Sequence, residues 1–256
     1  MNLTEHYLSI SLMNRIDLPQ CPSTSDHLKA LVADGALKDM TWVITPNQTS
    51  GRGQRGNTWI SAPNSNISAS VYKRWKSFSV AKSYLISQYI GLSLVHWLSD
   101  IGMANPQLKW PNDLFIGSKK VGGILIENGV GGKNINYSII GVGINVFQKD
   151  FGTLSQATSL SVEGFSLDSL EGLTSHMLQH ISQALMRFDV AQEVHISQAF
   201  QLKMFGRGEV HQFRHAALGL FSARVLGTDE HGQLLLEVNQ QPMSFGIQEV
   251  TWVITP

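Results

Sequence analysis

Residues 119–146, KKVGGILIENGVGGKNINYSIIGVGINV, contain the two strands around which we expect the fold to form. The first strand is expected at Lys120–Glu127 and the second at Tyr137–Val146. The second strand is almost entirely apolar, which is typical of a central strand whose sheet is covered on both faces. The segment therefore predicts a layered domain built on a sheet.

The sequence on either side of this segment supplies further strands and helices of the same domain. Strands are expected at Thr41–Thr45 and Ile67–Tyr72, and on either side of Pro111-Asn112 at Gln107–Trp110 and Asp113–Ile116. Helices are expected after the N-cap candidates Ser23–Asp26, and at Val80–Trp97, Ser166–Phe188 and Ala191–Phe205.

The chain changes character at Gly206, after which short strands separated by turn residues predominate. These strands are expected at Gly208–Arg214, Leu220–Leu226, Gln233–Val238, Pro242–Gly246 and Val250–Ile254. Five short strands in about fifty residues are typical of a small β-barrel. We therefore expect an α/β (α+β) domain at residues 1–205 with a mixed sheet, and a small β-barrel domain at residues 206–256.

The composition excludes several classes of protein. The 256 residues include 19 basic and 19 acidic side chains, and 43% are hydrophobic, which excludes extensive disorder and argues against a nucleic-acid coat protein. Cys21 is the only cysteine, so an intramolecular disulfide and a cysteine-cluster metal site are excluded. The first 22 residues lack the layout of a signal peptide, and Tyr84–Leu98 is too short and polar to span a bilayer. We expect a cytoplasmic protein without a membrane partner.

The glycine-rich loop Gly51–Gly56 carries the clearest sign of an anion site. No acidic residue occurs between Met40 and Ser99, whereas this stretch contains six basic residues. Glycines let backbone N–H groups approach an anion, and the forked donors of Arg52 and Arg55 suit phosphate or carboxylate oxygens. The alternative is a solvated basic loop, but the interleaving of glycine and arginine favours the anion site.

The same loop matches the spacing Gly-x-Gly-x-x-Gly of dinucleotide-binding folds, but its context excludes that fold. The residues that follow, Asn57–Asn64, do not begin a helix, and the acidic residue expected about twenty positions later is missing. The phosphate loop of nucleoside triphosphatases is also excluded, because no Gly-Lys-Ser/Thr follows.

Three further clusters carry polar groups or glycines. Lys109–Asp113, KWPND, places a cation, an amide and a carboxylate at a proline bend. Lys119–Leu125, KKVGGIL, puts two lysines before a double glycine, and Gly141–Asn145, GVGIN, puts two glycines on one face of a strand. Together the clusters supply phosphate donors, a carboxylate able to bind a metal, and a slot for a flat ligand.

These four clusters, in this order, resemble the motifs of the biotin protein ligase family. The resemblance extends from Ser23-Thr24 and Gln48 to the C-terminus. It implies a catalytic domain related to class II aminoacyl-tRNA synthetases and lipoyl ligases, with a small barrel of the SH3 type. It also implies two steps. Biotin and MgATP give biotinyl-5′-adenylate and pyrophosphate, and a lysine of a biotin carboxyl carrier domain then attacks the adenylate.

The resemblance also implies a set of site residues. It assigns catalysis to Lys120, Arg52 and Arg55, and the placing of Mg²⁺ to Asp113 with the help of Asn112. It assigns biotin binding to Ser23, Thr24, Gln48, Gly51, Arg52, Lys120, Gly122, Gly123, Gly141 and Gly143. It assigns ATP binding to Arg52, Arg55, Trp59, Lys109, Asn112, Lys120 and Asn145. For Trp59, covering the loop, stacking on adenine and simple core packing all stay open.

The sequence departs from the family pattern at Ser25, where Asn is usual, and at Gln54 and Asn57, where many members have Arg. Because this loop has fewer hydrogen-bond donors than in those members, we expect adequate catalysis but only modest retention of the adenylate. Only 22 residues precede Ser23, too few for a winged helix-turn-helix, so we expect no DNA partner. Monomer and homodimer both occur in the family, and the acceptor carboxylase is left open.

Two rival interpretations remain. A lipoate or octanoate ligase has the same catalytic fold, and a non-catalytic sensor or carrier-binding module would use the terminal barrel as its main surface. The pairs His176/His180 and His211/His215 have helical spacing but lack the glutamate of a metalloprotease motif, so packing or surface roles are favoured.

Overall fold

In the computed structural model, the structure describes residues 14–35, 37–166 and 169–253, which form four helices and three sheets. The helices are Thr24–Ala33 (α1), Tyr84–Asp100 (α2), Leu170–Arg187 (α3) and Glu193–Leu202 (α4). The strands are Asn14–Asp17 (β1), Thr41–Thr45 (β2), Gly51–Arg52 (β3), Thr58–Trp59 (β4), Asn66–Ser79 (β5), Pro106–Lys109 (β6), Asp113–Ile116 (β7), Lys119–Gly131 (β8), Asn134–Asn145 (β9), Val210–His215 (β10), Gly219–Thr228 (β11), Leu234–Val238 (β12), Gln241–Phe245 (β13) and Val250–Val253 (β14).

The large sheet has seven strands in the order β1-β2-β5-β9-β8-β7-β6. β1 pairs with β2 in parallel and every other pair is antiparallel, so the sheet is mixed, as the sequence predicts. β9 lies in the middle, between β5 and β8. The prediction of a central strand there is confirmed.

Helices pack on both faces of this sheet. On one face, α3 covers β5 and β2, where Trp42 donates its indole N–H to Ser182 Oγ at 2.9 Å, and α2 packs on β6, β7 and β8. On the other face, α1 covers a smaller apolar cluster. That cluster contains the buried side chains Leu28, Leu37, Val43, Tyr72 and Ile139. Beyond it, the strands carry small residues on the α1 face and leave space beneath the N-terminus of α1.

Two predicted boundaries shift because tertiary packing extends or interrupts an element. β5 does not stop at Tyr72 but runs to Ser79, because it stays paired with β9 and because Trp75 and Phe78 pack on Phe188. The α-helix expected from Val80 begins at Tyr84, after a single 3₁₀ turn at Val80–Lys82.

The two later helices are shorter than the sequence predicts. α3 begins at Leu170 because Ser169 caps it, accepting a hydrogen bond from Gly172 N at 3.2 Å; residues 167 and 168 lie outside the described residues. α4 ends at Leu202 because the next residues pair with β6, where Phe205 N donates to Leu108 O at 2.9 Å.

The C-terminal strands form an antiparallel sheet in the order β13-β12-β11-β10-β14. The five predicted strands are confirmed within a few residues, although Ile254 lies outside the described residues. The sheet is consistent with the predicted SH3-like domain, but its five strands do not close into the predicted barrel. Four of the strands have six residues or fewer, and β13 and β14 stay at opposite edges without exchanging backbone hydrogen bonds.

The two large sheets share one continuous core. Phe205 lies 5.0 Å from Phe115 of the large sheet and 5.9 Å from Trp252 of the C-terminal sheet, between ring centroids. Trp110 donates its indole N–H to Gly232 O at 3.0 Å. The division at residue 206 therefore stays a prediction.

None of the described helices combines the length and apolar character needed to cross a membrane.

Candidate functional site

A cavity lies on the α1 face of the large sheet, and small side chains form its floor. β5 and β9 pair Ser68 with Gly143 and Ser70 with Gly141, so all four residues share this face. A Cβ at Gly141 would lie 2.8 Å from Ser25 Oγ, and a Cβ at Gly143 would lie 2.5 Å from the Trp59 ring. The glycines therefore make room for groups above the sheet, as their spacing predicts.

Neutral polar groups form the wall of this cavity. Gln48 Oε1 accepts hydrogen bonds from Thr24 N at 2.9 Å and Thr24 Oγ1 at 3.2 Å. Ser70 Oγ lies 2.7 Å from Thr24 Oγ1 and 3.0 Å from Ser25 Oγ. Ser23, which caps α1, also lines the cavity. The predicted residues Ser23, Thr24 and Gln48 are thus brought together, and Ser70 joins them.

Two buried polar atoms at this cavity have no hydrogen-bond partner among the described residues. They are Ser68 Oγ and Trp59 Nε1. Leaving a buried donor or acceptor unpaired costs about 1–3 kcal/mol. A ligand with its own polar groups would remove that cost. Ser68 and Ser70 were missed from the sequence, because a serine in a strand has no local signature and only the register with β9 reveals them.

Lys120 stands where this cavity meets a second one. Its Nζ lies 2.6 Å from Asp113 Oδ1 and 5.9 Å from the centre of the Trp59 ring. Its backbone N–H donates to Gln156 O at 2.7 Å, and its O accepts from Thr158 N at 2.8 Å. These bonds hold Lys120 rigidly between β7 and the segment that follows β9.

The second cavity is lined by Lys109, Asp113, Lys120 and Asn145. Trp59 lines both cavities and separates them. The remaining wall comes from Asn57–Ile60, from Phe115 and from the segment Phe151–Ala157, which the sequence did not indicate. Asn145 is buried and donates to Thr158 O at 2.9 Å.

Lys109 is a buried cation in this second cavity. Its side chain is 14% exposed, and Nζ lies 4.0 Å from Asp113 Oδ2. Burial lowers the pKa of Lys109, the Asp113 carboxylate opposes that shift, and the positive charges of Lys120 and Arg55 add to it. The site thus concentrates positive charge where a phosphate would neutralise it.

Arg52 lines the first cavity, but its guanidinium is already paired. It binds Asp26 of α1, and Glu127 Oε1 of β8 at 2.7 Å. Lys29 joins the same cluster through Glu127 Oε1 at 2.6 Å. The partners Asp26 and Glu127 were missed because they lie far from the glycine loop in sequence. Arg52 therefore ties the glycine loop to two elements of the domain.

Four predicted residues do not line either cavity. Arg55 has φ of 60° and makes no hydrogen bond or ion pair within the described ranges, and it reaches the second cavity only through its charge. Asn112 donates to Ile124 O at 2.6 Å and so fixes the β6–β7 turn on β8. Gly51 and Gly122 instead allow close packing behind the cavity walls. A Cβ at Gly51 would lie 2.5 Å from Trp59 O, and a Cβ at Gly122 would lie 2.7 Å from Ile144 Cδ1.

The side chains at this site can hold a divalent cation only together with phosphate oxygens of a bound nucleotide. Among the described residues no group of three His, Cys, Asp or Glu side chains could hold a metal ion. Asp113 is the single carboxylate in the second cavity, and lysines face both of its oxygens. Mg²⁺ commonly uses one or two carboxylates together with phosphate oxygens, so Asp113 fits as one ligand of a phosphate-bound ion.

The fold thus places two cavities side by side, with Lys120 at their junction. A sequence profile for the Biotin/lipoate A/B protein ligase family matches residues 18–145, half of the chain. The chain belongs to this family.

Named relatives agree with this membership. A bifunctional ligase/repressor BirA from Bacillus subtilis is 28% identical over 213 residues, covering 82% of this chain and 65% of the relative. The BirA of Escherichia coli K12 is 30% identical over 177 residues, covering 67% and 53%. A biotin–[acetyl-CoA-carboxylase] ligase from Mycobacterium tuberculosis is 29% identical over 172 residues, covering 66% and 63%. The chain thus spans less than two thirds of these relatives.

Solved structures match over a larger share of the chain. A point mutant of the Aquifex aeolicus biotin protein ligase in complex with biotin has a TM-score of 0.75 and 25% identity, covering 94% of this chain and 99% of that one. The same enzyme in complex with biotin and ATP has a TM-score of 0.76 at 24% identity, covering 94% and 99%. These matches confirm the predicted α/β fold with its small C-terminal sheet.

Proposed function

We propose that this protein is a ligase that activates biotin with ATP as biotinyl-5′-adenylate and transfers the biotinyl group to a lysine of a biotin carboxyl carrier domain. The observation that carries the proposal is the position of Lys120, whose ammonium group borders both cavities. Named relatives and solved neighbours that are biotin ligases support the choice of acid.

The first cavity suits the ring system of biotin. A ureido group has two N–H donors and one carbonyl acceptor, and the neutral groups of Thr24, Gln48 and Ser68 can match them without adding charge. The floor of Ser70 and the glycines accepts a flat bicycle. A charged acid group would then extend toward Lys120, which lines this cavity where it meets the second one.

The first chemical step joins two anions. A carboxylate oxygen of biotin attacks the α-phosphorus of ATP, the bond to the β-phosphate bridging oxygen breaks, and pyrophosphate leaves. Lys120 can contact both the carboxylate and an α-phosphate oxygen, which aligns them and stabilises charge in the transition state. Lys109 adds positive charge on the triphosphate side. Mg²⁺ bound to the triphosphate, with Asp113 as a ligand, would neutralise further charge.

The second step forms an amide. A neutral lysine amine of the carrier domain attacks the acyl carbon of the adenylate, AMP leaves with the electron pair of the broken C–O bond, and the amine loses a proton. Acetyl-CoA carboxylase is the acceptor named for one relative, and we propose a carrier domain of that type here. We propose that the reaction takes place in the cytoplasm. The absence of a DNA partner and the oligomeric state stay predictions.

Release of pyrophosphate from MgATP tests the proposal. We expect release only when biotin is added, and not with lipoate, octanoate or buffer alone. Lys120→Ala should lose it by about 100-fold or more, because a charge-stabilising group is removed from the reacting centre. Lys119→Ala is the matched control, since Lys119 is the exposed neighbour on the same strand, and it should leave the rate unchanged. Release with lipoate or octanoate instead would contradict the choice of biotin.

A further inference from the structure

Two aromatic rings hold the ammonium group of Lys109. Its Nζ lies 5.5 Å from the ring centre of Phe115 on β7 and 5.5 Å from that of Trp252 on β14. The distances fit cation–π contacts, which reach about 2 kcal/mol or more when the cation is desolvated. One ring belongs to the large sheet and the other to the C-terminal sheet, so the two sheets meet at this cation.

The nearby carboxylate cannot fix Lys109 by itself. Asp113 places its closer oxygen on Lys120, at 2.6 Å, and its other oxygen is 4.0 Å from Lys109 Nζ. Lys120 and Arg55 repel Lys109, and burial penalises its charge. The faces of the two rings therefore offset part of this cost and set where the ammonium group sits.

The pairing of β14 with β10 holds the backbone of Trp252, and packing holds its side chain. The residue is 9% exposed, and its ring centre lies 4.8 Å from that of Phe213 and 5.2 Å from that of His211. Its indole N–H is buried and has no hydrogen-bond partner in the described part of the chain. An unpaired buried donor is a cost, so the indole contributes here through its ring face and its volume rather than through a hydrogen bond.

We propose that Trp252 is a positioning residue for ATP: it holds the ammonium group of Lys109 toward the triphosphate, so that the C-terminal sheet tunes nucleotide affinity without touching biotin. Trp252 does not line the second cavity, whereas Lys109 does, so the effect passes through Lys109. This inference rests on the proposed function for the identity of the nucleotide.

The first test replaces Trp252 by Leu and by Phe. Trp252→Leu should raise the KM for ATP, and the Kd of ATP measured by calorimetry without biotin, by about tenfold. The KM for biotin should change by less than about twofold. Trp252→Phe should restore most of the ATP affinity, because it keeps a ring face and loses only an unpaired N–H. Phe221→Leu, which removes a ring from the same sheet between Phe213 and Phe245, should change neither constant.

A double-mutant cycle separates positioning from general packing. In a Lys109→Met background, Trp252→Leu should no longer weaken ATP binding, because the group through which it acts is gone. Site-specific tetrafluorotryptophan at position 252 keeps the shape of the ring but weakens the negative potential of its face. We expect it to weaken ATP binding as well, and this measurement remains decisive if the leucine variant does not fold.

Several results would overturn the inference. They are an unchanged ATP Kd in Trp252→Leu, an undiminished effect of that substitution in the Lys109→Met background, or full ATP affinity with the fluorinated ring. Calorimetry measures ATP binding without the acid, so these results can be distinguished from a failure of the proposed function. If the proposed function is wrong, the wild-type protein will release no pyrophosphate with biotin.

Discussion

Lys120 and Lys109 share the carboxylate of Asp113 but differ in their surroundings. Lys120 is 35% exposed and faces both cavities, so it can contact two ligands. Lys109 is enclosed by Phe115 and Trp252 and faces only the second cavity. One lysine therefore suits the reacting atoms, and the other suits the phosphate tail.

The pH dependence of ATP binding should reveal Lys109. A lysine is a cation below its pKa, and burial lowers the pKa of Lys109 from its ordinary value of 10.5. The charge is therefore lost at a lower pH than for an exposed lysine, and the KM for ATP should rise on the alkaline side as this charge is lost. Lys109→Arg should flatten the profile, because arginine does not titrate in this range.

Measuring KM for ATP between about pH 7 and pH 10 in both proteins checks this expectation. The KM for biotin serves as the internal control, because Lys109 does not line the first cavity. A wild-type profile that stays flat across this range, or one that rises equally in Lys109→Arg, would contradict the role given to Lys109.

The sequence predicted part of the site at this scale. The structure brings together Lys120, Thr24 and Gln48, which the family resemblance assigned to the site, and the two glycines of β9, which strand periodicity placed on one face. Ser68 was missed because only the β5–β9 register brings it to the cavity. A residue's place in a motif also does not reveal which contact its side chain makes. Asn112 belongs to the KWPND cluster, but its side chain donates a hydrogen bond to the backbone oxygen of Ile124.

Among the elements, β9 determines the shape of the first cavity. Gly143 lies beneath the Trp59 ring, and Gly141 lies beneath Ser25 Oγ. The ring is rigid and the serine can rotate, so the two glycines differ in how much a side chain would disturb the site. The element thus fixes both the depth of the cavity and the position of the partition formed by Trp59.

Gly143→Ala should displace Trp59 and weaken biotin binding by about tenfold or more. The added Cβ would lie 2.5 Å from the indole ring, closer than such contacts occur, so the ring must shift and carry strand β4 with it. Calorimetry with biotin measures the loss. Gly131→Ala is the control, because at the end of β8 only the side chain of Asn136 must move. Equal biotin affinity in both variants would contradict this account of the floor.

Element boundaries depended on contacts that local sequence does not contain. β5 continues past Tyr72 because β9 offers a partner and Phe188 packs against its end. α4 ends at Leu202 because β6 captures the chain that follows it. The helix start at Ser23 was predictable, since its cap is local and its hydroxyl accepts from Asp26 N at 3.3 Å.

Across the whole molecule, the C-terminal sheet is joined to the large sheet rather than merely appended. Phe205 and Trp252 belong to the same buried cluster as Phe115, and Trp252 reaches Lys109. Strand count and turn residues predicted five strands correctly. They did not reveal that the sheet stays open, because closure depends on whether β13 and β14 meet.

The most direct measurement is the formation of biotinyl-5′-adenylate by the purified protein. Protein, biotin and ATP labelled at the α-phosphate are incubated without a carrier domain, and protein-bound label is identified by chromatography. We expect biotinyl-adenylate to form at the same rate in the wild type and in Lys119→Ala, and about 100-fold or more slowly in Lys120→Ala, because that variant lacks the cation that aligns the two anions and stabilises the transition state. Binding of both biotin and ATP with no adenylate formed would contradict the claim that Lys120 links the two cavities chemically.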